Sequence, residues 1–226
     1  MAASTMATPT SPDARLFAGL AGLTLATGMV DAACYFGLGH VFTANMTGNV
    51  VFLGFALGGA SGFSAAASLV AVAGFVAGAI TAGRLVRPAT ARRDVRAAFA
   101  VEGVALTAAT VIALSVAAPG TGAPHWILLT LLGIAMGVQN AAVRRLAVAD
   151  MTTTVLTQTL TGLVADSVLA GGSNPRLVRR ASSVLLMLTG GLIGAVLWNR
   201  GLGWPVLTGS LLVVSSTAVL AMAGPR

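Results

Sequence analysis

Charge is scarce in this chain of 226 residues: only 8% are Asp, Glu, Lys or Arg, against about 25% in a soluble globular domain. That absence excludes an ordinary water-soluble fold, whose surface needs polar cover. Lysine is missing altogether, so all thirteen basic residues are arginine. Cysteine occurs once, at Cys34, which excludes an internal disulfide and a cysteine-ligated metal cluster. The two histidines, His40 and His125, lie far apart and at no ligand spacing, so no metal site is expected. A phosphate-binding Gly-Lys loop, an HExxH helix and a GxSxG elbow are all missing. Without a cluster of His, Cys or carboxylates at usable spacing, catalysis and cofactors are not expected.

What the chain has in abundance is apolar sequence. It is 56% hydrophobic, and its mean hydropathy is +0.91. Several runs are long enough to cross a hydrocarbon layer of ~30 Å as helices. The net charge of +7 and a pI near 11.7 would fit nucleic acid, but the arginines cluster between apolar runs. That placement reads as membrane orientation instead, so no nucleic-acid partner is expected.

Residues 1–15 are rich in Ser, Thr, Pro and Ala and read as a disordered tail. The run Leu16–Leu38 is too long for a cleaved signal segment and reads as the first span. Further spans are expected at 64–86, 97–118, 125–143, 181–199 and 204–223, and Trp126, Trp198 and Trp204 near their ends suit the interface. An arginine-rich loop (Arg84, Arg87, Arg92, Arg93, Arg96) and a basic loop at 175–180 join them. Two stretches are different. Residues 39–62 open on His40-Val41-Phe42-Thr43-Ala44-Asn45-Met46-Thr47-Gly48-Asn49 before turning apolar. Residues 144–172 contain Met151-Thr152-Thr153-Thr154-Val155-Leu156-Thr157-Gln158-Thr159.

The halves, 16–118 and 124–223, match in order. Gly28-Met29-Val30-Asp31 aligns with Gly137-Val138-Gln139-Asn140, and Met46-Thr47-Gly48-Asn49 with Leu156-Thr157-Gln158-Thr159. Gly74 and Gly78 align with Gly190 and Gly194, GxxxG pairs that let helices approach closely. Arginine placement then decides the topology. If both unusual stretches crossed, giving eight spans, the arginines would divide between the two sides in either orientation. If both enter and leave on one side, giving six spans, only Arg200 lies outside and the termini are cytoplasmic. A seven-span variant, in which only the first stretch crosses, separates the charge nearly as well but breaks the equivalence of the halves.

The expected fold is therefore an all-α integral membrane protein. Six transmembrane helices and two re-entrant or broken helices form a 3+3 inverted repeat in one membrane domain, residues 16–226. The lengths allow it. Residues 40–46 extended reach roughly 20 Å at about 3.3 Å each, and 47–60 as a helix return roughly 21 Å. The second stretch, with its short helix at 157–170, follows the same arithmetic.

Such breaks are tolerated only inside protein or along a wet cavity. Their helix starts would aim free N–H groups at the centre, among Thr43, Asn45, Thr47 and Asn49 from one half and Thr152, Thr154, Thr157 and Thr159 from the other. These neutral groups suit a solute site at a repeat interface; equally, they can cap helices and bind neighbouring carbonyls. Asp31, facing Asn140 in the alignment, is an ionisable group inside a span. It reads as a proton or cation carrier, or as an acceptor for helix-start amides. Asp166 is expected to pair with a basic loop residue, Glu102 to lie within reach of Arg96, and Asp150 to pair in a loop with Arg144 or Arg145.

Gly28-Met29-Val30-Asp31-Ala32, the Val41–Asn49 element, Gly133–Asn140, Val143-Arg144-Arg145-Leu146 and the Thr152–Thr157 run together resemble the YoaK family. The resemblance runs from about residue 16 to 223 and implies a bacterial multi-pass inner-membrane protein of no established activity. Gln158-Thr159 stands where that pattern carries Gly-Thr. The working expectation is a channel-like or secondary transport protein for a small solute. Its alternative is a membrane-embedded structural or assembly protein without transport. The bilayer is the expected partner, and a homo-oligomer through the glycine-rich faces is compatible with the sequence.

Overall fold

The computed structural model describes residues 12–87, 91–116, 122–146, 156–174 and 176–222, with the side chains of 12, 13 and 91–93 left aside. Among these residues the regular structure is entirely helical: α1 (Pro12–Gly37), α2 (Met46–Leu57), α3 (Ala65–Leu85), α4 (Ala91–Ser115), α5 (Ala123–Leu146), α6 (Leu156–Ala165), α7 (Leu177–Trp198) and α8 (Gly203–Ala221), with one 3-10 turn at Val168–Ala170. Six of the eight, all but α2 and α6, are long and apolar enough to cross a membrane. This is an all-α multi-pass membrane architecture.

Several boundaries differ from the sequence reading. Helix α1 starts at Pro12, within the segment read as tail, and a proline is well suited to a first helical turn. Arg92, Arg93 and Arg96 belong to the start of α4 rather than a loop, alongside Asp94 in its first turn. Arg144 and Arg145 close α5, where positive charge faces the negative end of the helix dipole. Arg179 and Arg180 open α7. The Thr152–Thr154 run, Asp150 and residues 1–11 lie outside the described residues.

The long helices alternate in direction. At one end of the bundle, Gly39 at the close of α1 stands beside Ala67 of α3 and His125 of α5, Gly37 packs on Trp198 and Leu202, and Gly203 of α8 packs on Ala113 and Leu114 of α4. At the other end, Arg15 donates to the Met222 carbonyl at 3.0 Å and Arg96 to the Ala221 carbonyl at 2.6 Å. Among the described residues Arg200 is at the first end, whereas Arg15, Arg84, Arg96, Arg144, Arg145, Arg179 and Arg180 lie at the helix ends of the second.

The packing is symmetric under exchange of the halves. Helix α1 packs on α7 and α8, and α5 packs on α3 and α4. Helix α2 lies on α3 as α6 lies on α7, α3 meets α4 as α7 meets α8, and the α1–α5 and α4–α8 pairs map onto themselves. Because α1 and α5 run in opposite directions, the symmetry is that of an inverted repeat. The halves are also interleaved, since the main partners of α1 all come from the second half.

Glycines make the closest crossings. A Cβ on Gly190 would strike the backbone of Leu25, one on Gly78 that of Ile134, and one on Gly137 that of Phe75. Gly28 faces Met187 across the matching crossing. Leu25 and Ile134 sit at equivalent places before Gly28 and Gly137. Gly78 therefore corresponds in space to Gly190, one turn away from the pairing that sequence alignment favours.

Candidate functional site

Two short helices bring the unusual stretches into the bundle. Helix α2 has 12 residues and α6 has 10, about 18 and 15 Å at 1.5 Å per residue, too short to cross ~30 Å of hydrocarbon. Residues 38–45 leave α1 through Gly39 (φ 86°) and His40 (φ 57°), both left-handed, and turn back along the helix just left. Asp31 marks the depth reached. Its Oδ1 accepts from the amides of Thr43 and Ala44, both at 2.8 Å, and from Thr43 Oγ1 at 3.4 Å. Asp31 precedes the end of α1 at Gly37 by roughly 9 Å of helix rise.

From there α2 returns to the end it came from. His40 Nδ1 lies 3.1 Å from the Gly62 carbonyl just before α3. Phe52 of α2 meets Tyr35, Phe42 and Phe63 at ring-centroid distances of 6.3, 5.5 and 5.1 Å. The first stretch is thus re-entrant. Helix α6 likewise ends beside the start of the next long helix: Arg180 in the first turn of α7 donates to the Gly162 carbonyl near the end of α6 and to Asp166 Oδ2 at 2.7 Å. The basic partner of Asp166 is therefore helical.

Non-helical backbone inside a bundle must find its hydrogen bonds within the protein. Asn49, fully buried in the first turns of α2, satisfies both backbone groups of Phe42: Oδ1 accepts from its N–H at 2.8 Å and Nδ2 donates to its carbonyl. Asp31 serves the next two amides. Asn45 caps α2, its side chain accepting from the Gly48 amide at 3.4 Å. The buried Cys34 thiol stands 3.5 Å from Thr43 Oγ1.

A cavity of about 340 Å³ opens where these pieces meet, lined by Gly28, Asp31, Ala32, Tyr35 and Phe36 of α1, Phe42 and Asn45 of the first break, Leu156 of α6, and Met187 and Gly191 of α7. It brings the N-terminal ends of both short helices to one space. The wall is mainly aromatic and aliphatic, with Asp31 and Asn45 as polar residues among it.

The sequence-derived candidates divide. Asp31 and Asn45 line the cavity, and Thr43 is buried behind Asp31. Asn49 is committed to Phe42. Asn140, half-buried on α5, donates to the Met136 carbonyl at 2.8 Å. Thr159 is buried on α6, whereas Thr47 and Thr157 are exposed on the outer sides of their helices. Thr154 lies outside the described residues. Sequence reasoning missed Tyr35, Phe42, Met187 and Gly191. The signal for the α1 members was present, because Gly28, Asp31, Ala32 and Tyr35 recur at the spacing of one helix face.

Two comparisons bear on this arrangement. Residues 19–221 match the model of a protein family of unknown function, DUF1275. The chain belongs to that family. It is also 40% identical over 147 residues to the UPF0700 transmembrane protein YoaK of Bacillus subtilis (strain 168), a match spanning 64% of this chain and 64% of that relative's length. No solved structure matches. The relative's name says that it is a transmembrane protein, and it names no solute.

Proposed function

We propose that the protein is a channel-like or secondary transport protein for a small solute, in a bacterial inner membrane, with its arginine-bearing end cytoplasmic. One observation carries this reading: re-entrant helices from opposite ends of the bundle direct their N-termini to one cavity beside Asp31. Partial positive charge at helix starts and a few neutral polar groups suit a solute held between repeats. The orientation follows from the clustering of arginine at one end. Movement of solute would be passive or ion-coupled, and neither catalysis nor a cofactor is part of the proposal.

A second reading has its own support. Asp31 Oδ1 and Asn49 are committed to backbone groups of the break, as expected of a structural or assembly protein whose polar residues only hold helices. Osmotic swelling of proteoliposomes exposed to a panel of small neutral, amine and carboxylate solutes separates the two. A Cβ on Gly191 would meet nothing within 4 Å, so Gly191→Leu extends into the cavity without striking backbone. Transport predicts a flux reduced at least tenfold by Gly191→Leu and unchanged by Gly54→Leu, a position equally open but on the outer side of α2. Absence of flux across the panel, with both variants folded, favours the structural reading.

A further inference from the structure

The cavity does not involve Glu102, an ionisable group that stands isolated among the described residues. Glu102, on α4, is 0% exposed, and neither carboxyl oxygen has a hydrogen-bond partner. The expected contact with Arg96 is not made; Arg96 donates instead to the Ala221 carbonyl at 2.6 Å. Helix α4 packs on α5, α8 and, more lightly, α3. Helix α8 carries no titratable side chain, α5 carries His125, Arg144 and Arg145 in its terminal turns, and α3 carries Arg84 in its last turn. On α4 itself Arg92, Arg93, Asp94 and Arg96 all stand nearer the arginine-bearing end. Of those whose side chains are described, none bonds Glu102.

Two polar contacts join α4 to α8, one at a depth above this acid and one below it. Thr110 Oγ1 and Ser210 Oγ lie 2.9 Å apart toward the arginine-poor end, and the Arg96–Ala221 contact closes the other. Between those fixed points the antiparallel register sets Glu102 across from the α8 turn containing the buried Ser216. On α5, Gln139 donates through Nε2 to Thr27 Oγ1 at 2.8 Å but keeps a buried Oε1 without a donor. Both side chains, Glu102 and Gln139, thus hold buried acceptor oxygens without a donor. A carboxylate in hydrocarbon without a counter-charge or donor is costly, whereas the neutral acid brings its own donor.

We propose that Glu102 is a proton-binding site: a neutral carboxylic acid on the buried face of α4 that exchanges its proton with water. In the exchange the acid O–H bond breaks, the proton passes to that water as hydronium, and the carboxylate left behind recovers a proton in the reverse step. Arg96 lies six residues toward the arginine-bearing end, about 9 Å of helix rise away. The site is separate from the cavity and holds whether or not a solute passes there.

Glu102 is the sole glutamate in the chain, which allows a test on the unmodified protein. Cell-free synthesis with carboxyl-13C glutamate, followed by infrared spectroscopy in proteoliposomes, isolates this group by isotope shift. The expected result is a protonated-acid carbonyl band at neutral pH that moves with the label, moves again in D2O, and is lost on raising the pH. Labelled intensity found only as carboxylate at neutral pH would overturn the proposal. So would an acid band that stays fixed in D2O after the exposed amides have exchanged, since that acid is sealed. Glu102→Gln, close in shape, should keep the fold and lack the band; a band surviving in it would belong to another group.

Discussion

Asp31 Oδ1 sits 2.8 Å from the amide nitrogens of both Thr43 and Ala44, so one carboxylate in the last third of a long helix holds the backbone of the break that follows it. Removing the acceptor leaves two buried donors without partners, each costing about 1–3 kcal/mol. Asp31→Ala should therefore destabilise the protein by on the order of 3 kcal/mol, with Asp31→Asn milder because one oxygen remains. Thermal unfolding in detergent measures this. An Asp31→Ala variant as stable as the parent would show that the clasp contributes nothing.

The crossing of α1 and α7 depends on Gly190, whose added Cβ would collide with the Leu25 backbone, whereas Gly103 on α4 has open space around it. Gly190→Ala should cost roughly 1–3 kcal/mol through forced separation of the helices. Gly103→Ala should be neutral or stabilising by up to about 1 kcal/mol, because glycine is the poorer helix former. Equal melting temperatures for the two variants would contradict the close packing.

Re-entry makes a prediction about sidedness. In a Cys34→Ser background, cysteines at Ser61 and at Gly201 should react with an impermeant thiol reagent from the same face of the membrane, and one at Ser173 from the opposite face. Labelling of position 61 from the face that labels 173 would mean that the first short segment crosses.

The six long spans were legible because the bilayer demands long apolar runs, and arginine placement carried the topology. The second-half cavity lining was harder, since Met187 and Gly191 look like any other apolar residues of α7. Thr47 is close in sequence to Asn45 and Asn49, but it is exposed while Asn49 is buried, because helix neighbours two residues apart face different ways. The glycine pairs misled by one turn, because GxxxG recurs at each turn of a glycine-rich face and alignment has no means to choose between repeats. The isolation of Glu102 was out of reach for a related reason: Arg96 lies on the same helix, and only the α8 carbonyl that captures it, distant in sequence, decides the matter.

The interleaving of the halves bears on how the protein is made. During synthesis α1 emerges well before its main packing partners α7 and α8, with a glycine-lined face and a carboxylate already in place. A product ending after α4 would carry every element of one repeat and still leave α1 without the surfaces that enclose it, so assembly of this bundle is a late event that closes both repeats together.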